Sequence, residues 1–506
     1  MLAAVRSAAV LGVDAFDVTV EVDCTRGLPQ WMIVGLPASS VKESRERVSA
    51  ALGNAGIDLP HRRVTINLAP ADVAKTGTAF DLPIAIAVLM AFEIIEPQVA
   101  ENAVFLGELG LDGAVRPVRG VLSVARRLVR ADPPPTLVLP GANIGEASLV
   151  HDVPLCAPAS LLELVGWLRR GALPLTRPTA KTPVARPTPD FADVIGQQSA
   201  KRALEIAASG GHNVLMTGAP GAGKTMLARR LPGILPALIE QEALEVTAIH
   251  SVAGLLNGGG GVTDRPFRSP HHSVSTAGLI GGGGVPRPGE VSLAHHGVLF
   301  LDELLEFPRR TLESLRQPME DGRVTIARAA SAVCFPARFT LVAATNGCPC
   351  GHAGSAKLCV CSEADIARYR SRLSGPLADR IDLHLMLAPV PFRQLADAAR
   401  PECSADIRAR VERARDRQRL RYRGTPLMCN AESNGRALVG ELDADARKLL
   451  NDAADSLALS ARAYHRAAKV ARTIADLDAS ERVAAAHVAE ALCFRPLAPA
   501  VALGGR

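Results

Sequence analysis

Gly218-Ala219-Pro220-Gly221-Ala222-Gly223-Lys224-Thr225 constrains this chain more than any other stretch, because it fits G-x-x-x-x-G-K-[ST] at every fixed position. Asn213–Thr217 before it reads as a short buried strand, and Met226–Leu231 after it continues as a helix. Strand, glycine turn and helix N-terminus together aim several backbone N–H groups and the positive end of a helix dipole at one anion. The glycines let the backbone curl round a phosphate with no Cβ in the way. The spacing assigns Lys224 to the β- and γ-phosphates and the Thr225 hydroxyl to Mg²⁺. A bound nucleoside triphosphate is the expectation.

The chain has 506 residues, enough for about three domains with separate cores. Only 3% are aromatic, which leaves few rings for stacking on single-stranded bases. A net charge of +6 permits a polyanionic partner without demanding one. The longest apolar run, Leu82–Phe92, contains Pro83 and is too short to span a bilayer. Asp14 and Asp17 interrupt the mildly apolar start, so neither a signal peptide nor a membrane partner is expected. Ten cysteines, four of them clustered, point to a reducing, cytoplasmic setting and a metal site rather than a disulfide framework.

The expected architecture is α/β, in three parts. Residues 1–170 mix strands (Phe16–Val22, Arg63–Leu68) with a charged helical stretch, Ser39–Asn54, and a buried helix, Asp81–Phe92. Pro83 is tolerated in the first turn of that helix. Residues 171–190 are rich in Pro, Thr and basic side chains and read as an extended linker. Residues 191–390 alternate strand and helix, which implies a parallel sheet. Residues 391–506 read as a helical bundle.

Two further strands complete the phosphate loop. Val298–Leu301 ends in Asp302, placed to hold the Mg²⁺ shell, and Glu303, placed to polarise an attacking water. Phe339–Thr345 ends in Asn346. Parallel strands deliver their C-terminal ends to one sheet edge, so Asn346 should lie beside the γ-phosphate as a sensor. Between this strand and the next motif, Cys348, Cys350, Cys359 and Cys361 make two C-x-C pairs separated by eight residues that include Gly351 and Gly354. Four thiolates on a short loop can close a structural, tetrahedral Zn²⁺ site, although C-x₂-C is the commoner spacing. His352 is an alternative ligand that more naturally faces solvent. The pairs His271-His272 and His295-His296 read as packing and loop hydrogen bonding rather than metal sites.

Phe267–Ser273, Gly281–Glu303 and Ser374–His384 resemble the magnesium-chelatase-like AAA+ ATPases, and within them the YifB/ComM family. The likeness runs over nearly the whole chain; Gly347 stands where the family usually has Pro. The resemblance implies ATP as the nucleotide and Arg380 as an arginine finger that reaches a neighbouring subunit's γ-phosphate, so that catalysis needs a homo-oligomeric, hexameric ring. It implies Arg462 as the second sensor, with Arg472 as the alternative. It also makes the N-terminal part a Lon-protease-like domain. There Lys75-Thr76-Gly77-Thr78-Ala79 occupies the nucleophile segment, and Ala79 cannot attack a carbonyl, so peptidase activity is not expected.

The substrate is less constrained. Met319–Arg338 reads as a β-hairpin carrying Arg323, Arg328 and Arg338, in a position that faces the channel of ring ATPases. Arg400–Arg423 is densely cationic and reads equally as a DNA contact or as a solvated face paired with Glu412 and Asp416. The resemblance implies a DNA helicase driving branch migration on branched or single-stranded DNA during natural transformation. A chelatase-type remodeller and an ATP-dependent protease are the alternatives.

Overall fold

Short runs of Val, Leu, Phe and Ala build a five-stranded sheet at the centre of the chain. Its order is Phe267–Arg268, Val298–Leu301, Thr340–Thr345, Val214–Gly218 and Leu383–Leu387, and every pairing is parallel. The structure, a computed structural model, describes residues 2–177, 189–256, 260–327, 332–353, 357–390 and 402–495. Parallel strands need cover on both faces, which is why these runs are continuously apolar rather than alternating. Val214, Met216, Val342 and Ala344 face one core, shared with helices Gln198–Gly210 and Lys224–Ile234 and with the C-terminal helices. Leu215, Leu299, Leu341 and Ala343 face the other, against Leu279, Leu304, Leu312 and Leu377.

The N-terminal part holds a mixed seven-stranded sheet ordered Gln30–Val34, Arg63–Ala69, Asp14–Thr25, Leu2–Leu11, Ala103–Phe105, Thr136–Val138 and Leu155–Cys156. Helix Asp81–Ala91 is buried along its whole length, with Pro83 in its first turn as expected. Its one charge, Asp81, is fully buried and receives Arg47 Nε at 2.6 Å and Nη2 at 2.9 Å. The helical stretch expected at Ser39–Asn54 divides into Ser39–Lys42 and Ser44–Asn54. This part meets the central domain at Ser251, whose Oγ accepts from the Gly120 N–H at 3.0 Å and donates to the buried Glu146 carboxylate.

The expected linker is anchored at both ends. The Thr176 N–H donates to Leu155 O at 2.7 Å, and Asp190 Oδ1 accepts from the N–H groups of Ala192 and Ser404. Its middle, 178–188, lies outside the described residues. The C-terminal part is helical, in Ser404–Arg421, Gly435–Val439, Ala444–Ser456, Ala461–Leu477 and Ala485–Cys493. The hairpin is shorter than the sequence suggests. Met319–Asp321 ends a helix, and the antiparallel strands are Arg323–Ala327 and Ala332–Pro336. Arg328 and Arg400 lie outside the described residues. Among the described residues no helix is long and apolar enough to cross a membrane.

Candidate functional site

The phosphate loop leaves the strand Val214–Gly218 and enters the helix at Lys224. Gly221 and Gly223 take φ values of +81° and +90°, in the left-handed region that costs glycine little. A Cβ at Gly221 would meet nothing within 4 Å, so the inside of the curl is open backbone, as a phosphate cradle requires. Gly218 is needed for a different reason: a Cβ there would fall 2.6 Å from Leu387 O. Lys224 Nζ donates to Gly218 O at 2.5 Å, Ala219 O at 3.1 Å and Asn346 Oδ1 at 3.0 Å. Burial pulls this amine below its ordinary pKa, and the charges of Asp302 and Glu303 oppose that.

Thr225 Oγ1 donates to Asp302 Oδ2 at 2.7 Å, so the two expected Mg²⁺ ligands already face each other. Asp302 Oδ1 also accepts the Glu303 N–H at 3.0 Å. Parallel pairing thus brings Lys224, Thr225, Asp302, Glu303 and Asn346 to one sheet edge.

Arg380 lies at the other edge. Asn213, which precedes the strand, donates from Nδ2 to Arg380 O at 3.0 Å. At ~3.3 Å per residue, five strand residues put Arg380 about 16 Å from Gly218. Its guanidinium pairs with Glu320 and opens onto a cavity of about 510 Å³ lined by Arg338, Arg415, Arg419, Arg466 and Lys469. Asp382 holds this edge together. Its Oδ1 accepts from Arg466 Nη1 at 3.2 Å, and its Oδ2 accepts from the Asn213 N–H at 3.2 Å. Burial alone would raise this carboxyl, but the hydrogen bond from His212 and the charges of His212, Arg466 and Lys469 hold it down to about 2. Burial lowers the Arg466 pKa, and Arg380 and Arg462 add to the effect; the exposed Arg462 lies one turn before Arg466 on the helix Ala461–Leu477. Arg472, the alternative sensor, is 1% exposed and is bound to Asp476, Ser480 O and Glu481 O inside the helical bundle.

The four cysteines converge, with all four sulfurs within 4.8 Å of one another. Cys348 and Cys350 are 3.4 Å apart, and each lies 3.6 Å from Cys359. Tetrahedral Zn–S bonds of ~2.3 Å require sulfurs about 3.8 Å apart, so the set fits zinc, with no coordination position left open. Hydrogen bonds from the backbone at His352 and Val360 hold the Cys350 thiol down to about 6, while its nearness keeps Cys359 raised and pushes Cys361 up to about 12, so the four thiols share their protons as one set. Gly351, at φ +79°, lies on the phosphate loop: a Cβ there would come 3.0 Å from Pro220 Cγ.

A second cluster, Glu245, His295 and His296, has the composition of a metal site but not its tautomers. His295 Nδ1 accepts the Arg338 N–H at 2.9 Å, so its Nε2 carries the proton and donates to Glu245 at 3.2 Å. Burial holds His295 down to about 4, so the ring stays neutral. This pair serves loop hydrogen bonding, as its sequence suggests.

With the geometry in view, comparison with known proteins is informative. The family model for the magnesium chelatase subunit ChlI matches residues 190–395, that for subunit ChlI of Mg-chelatase matches 20–143, and that for the ChlI C-terminal region matches 401–495. YifB of Salmonella typhimurium is 44% identical over 502 residues, covering 98% of this chain and 97% of that protein. Competence protein ComM of Haemophilus influenzae is 43% identical over 505 residues, 98% of each. The chain belongs to the YifB/ComM family of magnesium-chelatase-like AAA+ proteins. Lon protease 2 of Bacillus subtilis is 31% identical over 143 residues, 26% of each chain, a likeness confined to part of the molecule.

Within this family member, one sequence reading needs revision. The arginines of helix Ser404–Arg421 are used mainly inside the molecule. Arg408 donates to Gly233 O, Arg415 to Ala208 O, Arg410 to Glu205 and Arg421 to Asp476, so the helix is clamped to the sheet domain and the neighbouring helices. Among the described residues, Glu412 takes no part in these pairs, and Asp416 meets only Arg419. His272, read as packing and loop hydrogen bonding, packs against His271 and meets Phe307 edge-on, and its Nδ1 also lies 3.4 Å from Glu303 Oε2. Its position just after the strand that pairs beside Val298–Leu301 is the only sequence signal that could have found it.

Proposed function

We propose that the chain hydrolyses ATP as one subunit of a hexameric ring that moves DNA, acting as a branch-migration helicase on branched or single-stranded DNA. The carrying observation is the division of polar groups between two edges of one sheet. Lys224 and the loop N–H groups would hold the β- and γ-phosphates. Thr225 and Asp302 would hold Mg²⁺, which neutralises charge developing on the phosphate oxygens when bound. Glu303 takes a proton from the attacking water, and Asn346 orients that water. Arg380 stands a strand's length away and cannot serve the same nucleotide, so it serves a neighbour's; Arg462, one turn before Arg466, acts in the same direction. The four cysteines would hold a structural zinc, which would brace the loop lying on Pro220.

The DNA reading draws support from the name of the Haemophilus relative, a competence protein, and from exposed cations at Arg323 and Arg338 beside the hairpin. Such groups contact phosphates without reading sequence. Peptide hydrolysis finds no support, since Ala79 packs against the apolar cluster that contains Val121 and Val124. The test is ATP-driven movement of a synthetic four-way junction. Wild type should move it, Glu303→Gln should bind nucleotide and stall, and a wild type that neither moves the junction nor speeds hydrolysis on DNA would sink the reading.

A further inference from the structure

The cysteine loop carries two side chains that a zinc site does not use. Leu358 and Val360 are 86% and 80% exposed, although both are large and apolar. Their outward position follows from the C-x-C spacing. Neighbouring side chains of an extended run point to opposite sides, so sending the sulfurs of Cys359 and Cys361 to one point turns Leu358 and Val360 away from it. Cys348 is buried and accepts the Ala353 N–H at 3.2 Å. Gly351 rests on Pro220, so the loop carries its apolar tip beside the phosphate loop.

The opposite edge of the sheet offers a wall of matching chemistry. Besides the cations already named, the cavity of about 510 Å³ is lined by Met319, Pro426, Leu427 and Met428. Met319, Leu427 and Met428 are half-buried. The segment holding the last two is fixed by Thr425 Oγ1, which donates to Tyr422 O at 2.7 Å, and by the Met428 N–H, which donates to Glu432 Oε2 at 2.8 Å. Arg380 opens onto the same cavity. When that guanidinium reaches the next subunit's γ-phosphate, the surface around the phosphate closes on the cavity. Leu358 and Val360 are the apolar part of that surface.

We propose that Leu358 and Val360 form a docking tip that seats in the arginine-edge cavity of a second copy of this chain, with the four cysteines fixing the tip's shape. Covering the two side chains strengthens each junction in proportion to the apolar area removed from water. The inference rests on the proposed ring and on Arg380 serving a neighbour's nucleotide.

The experiment is velocity sedimentation of the full chain over a range of concentrations, with Mg²⁺ and a non-hydrolysable ATP analogue, together with zinc analysis. Leu358→Ser combined with Val360→Ser should raise the half-assembly concentration about tenfold or more. Zinc content, melting midpoint and the dilute subunit's affinity for the analogue should stay as in wild type. Val360→Lys should weaken assembly too, because the cavity is cationic, and adding Leu427→Glu should recover most of the loss through a new ion pair. Stripping zinc with a selective chelator should dissociate wild-type rings. A double Ser variant that assembles like wild type overturns the proposal and leaves the ring reading standing. So does a Val360→Lys loss that Leu427→Glu fails to recover, for the tip would then meet another surface. Wild-type rings that form without zinc overturn the role given to the cysteines. A wild type that stays monomeric at every concentration defeats the ring reading and the docking together.

Discussion

Lys75 in the N-terminal sheet domain and Lys224 in the central one are the same residue type in almost the same burial, 0% and 9% exposed. Burial pulls both amines below the ordinary lysine range. Around Lys224 three oxygens lie within 3.1 Å. The Lys75 amine has no hydrogen-bond partner among the described residues. A buried ammonium ringed by oxygens has its lost hydration replaced, whereas one without partners does not. Two sheet domains with equally complete cores therefore differ in whether polar groups converge, and it is convergence rather than fold that makes a site.

The largest effect that would sharpen this contrast is expected at Lys224. Lys224→Ala should cut ATP turnover about 10²-fold or more while the thermal midpoint moves little, because the lost contacts serve developing charge. Phosphate release and a melting curve on the same preparation check both halves. In the N-terminal domain the pattern reverses. Arg47→Met strands the buried Asp81 and should cost about 3–5 kcal/mol of that domain's stability, seen as an early transition in denaturant. Hydrolysis at the phosphate loop, measured before that transition, should persist.

Lys75→Met should have the smallest effect, within about 1 kcal/mol and in the stabilising direction, since an apolar isostere removes a desolvated amine. The sign of its pH dependence is fixed. A folded pKa below that of the unfolded chain means that the unfolded state binds more protons. Wild-type stability therefore rises with pH between the lowered folded value and the ordinary lysine value. The Met variant should show a shallower rise over that window. A steeper one would mean that a partner raises the Lys75 pKa on folding, breaking the contrast.

Chemistry carried by contiguous text was legible before any coordinates. The loop Gly218–Thr225, the acids after Val298–Leu301 and Asn346 after Thr340–Thr345 each combine an apolar strand with a polar end, and parallel pairing does the rest. The paired cysteines and the buried helix Asp81–Ala91 were legible for the same reason. The His272–Glu303 contact was not, because it depends on a strand of two residues, Phe267–Arg268, too short to show a period. The use of Arg408 and Arg415 was hidden differently. Their acceptors are backbone carbonyls of Gly233 and Ala208, and a carbonyl leaves no mark in a pattern of charges.

In the proposed ring, five residues, Val214–Gly218, separate what a subunit offers its own nucleotide from what it lends to the next one's. An open string of such subunits always ends with one phosphate loop that no arginine reaches and one arginine with nothing to reach. Joining the ends cures both faults in a single event. Every partial circle thus carries one idle site, and a copy faulty at both loop and arginine silences the shared site on each side of it.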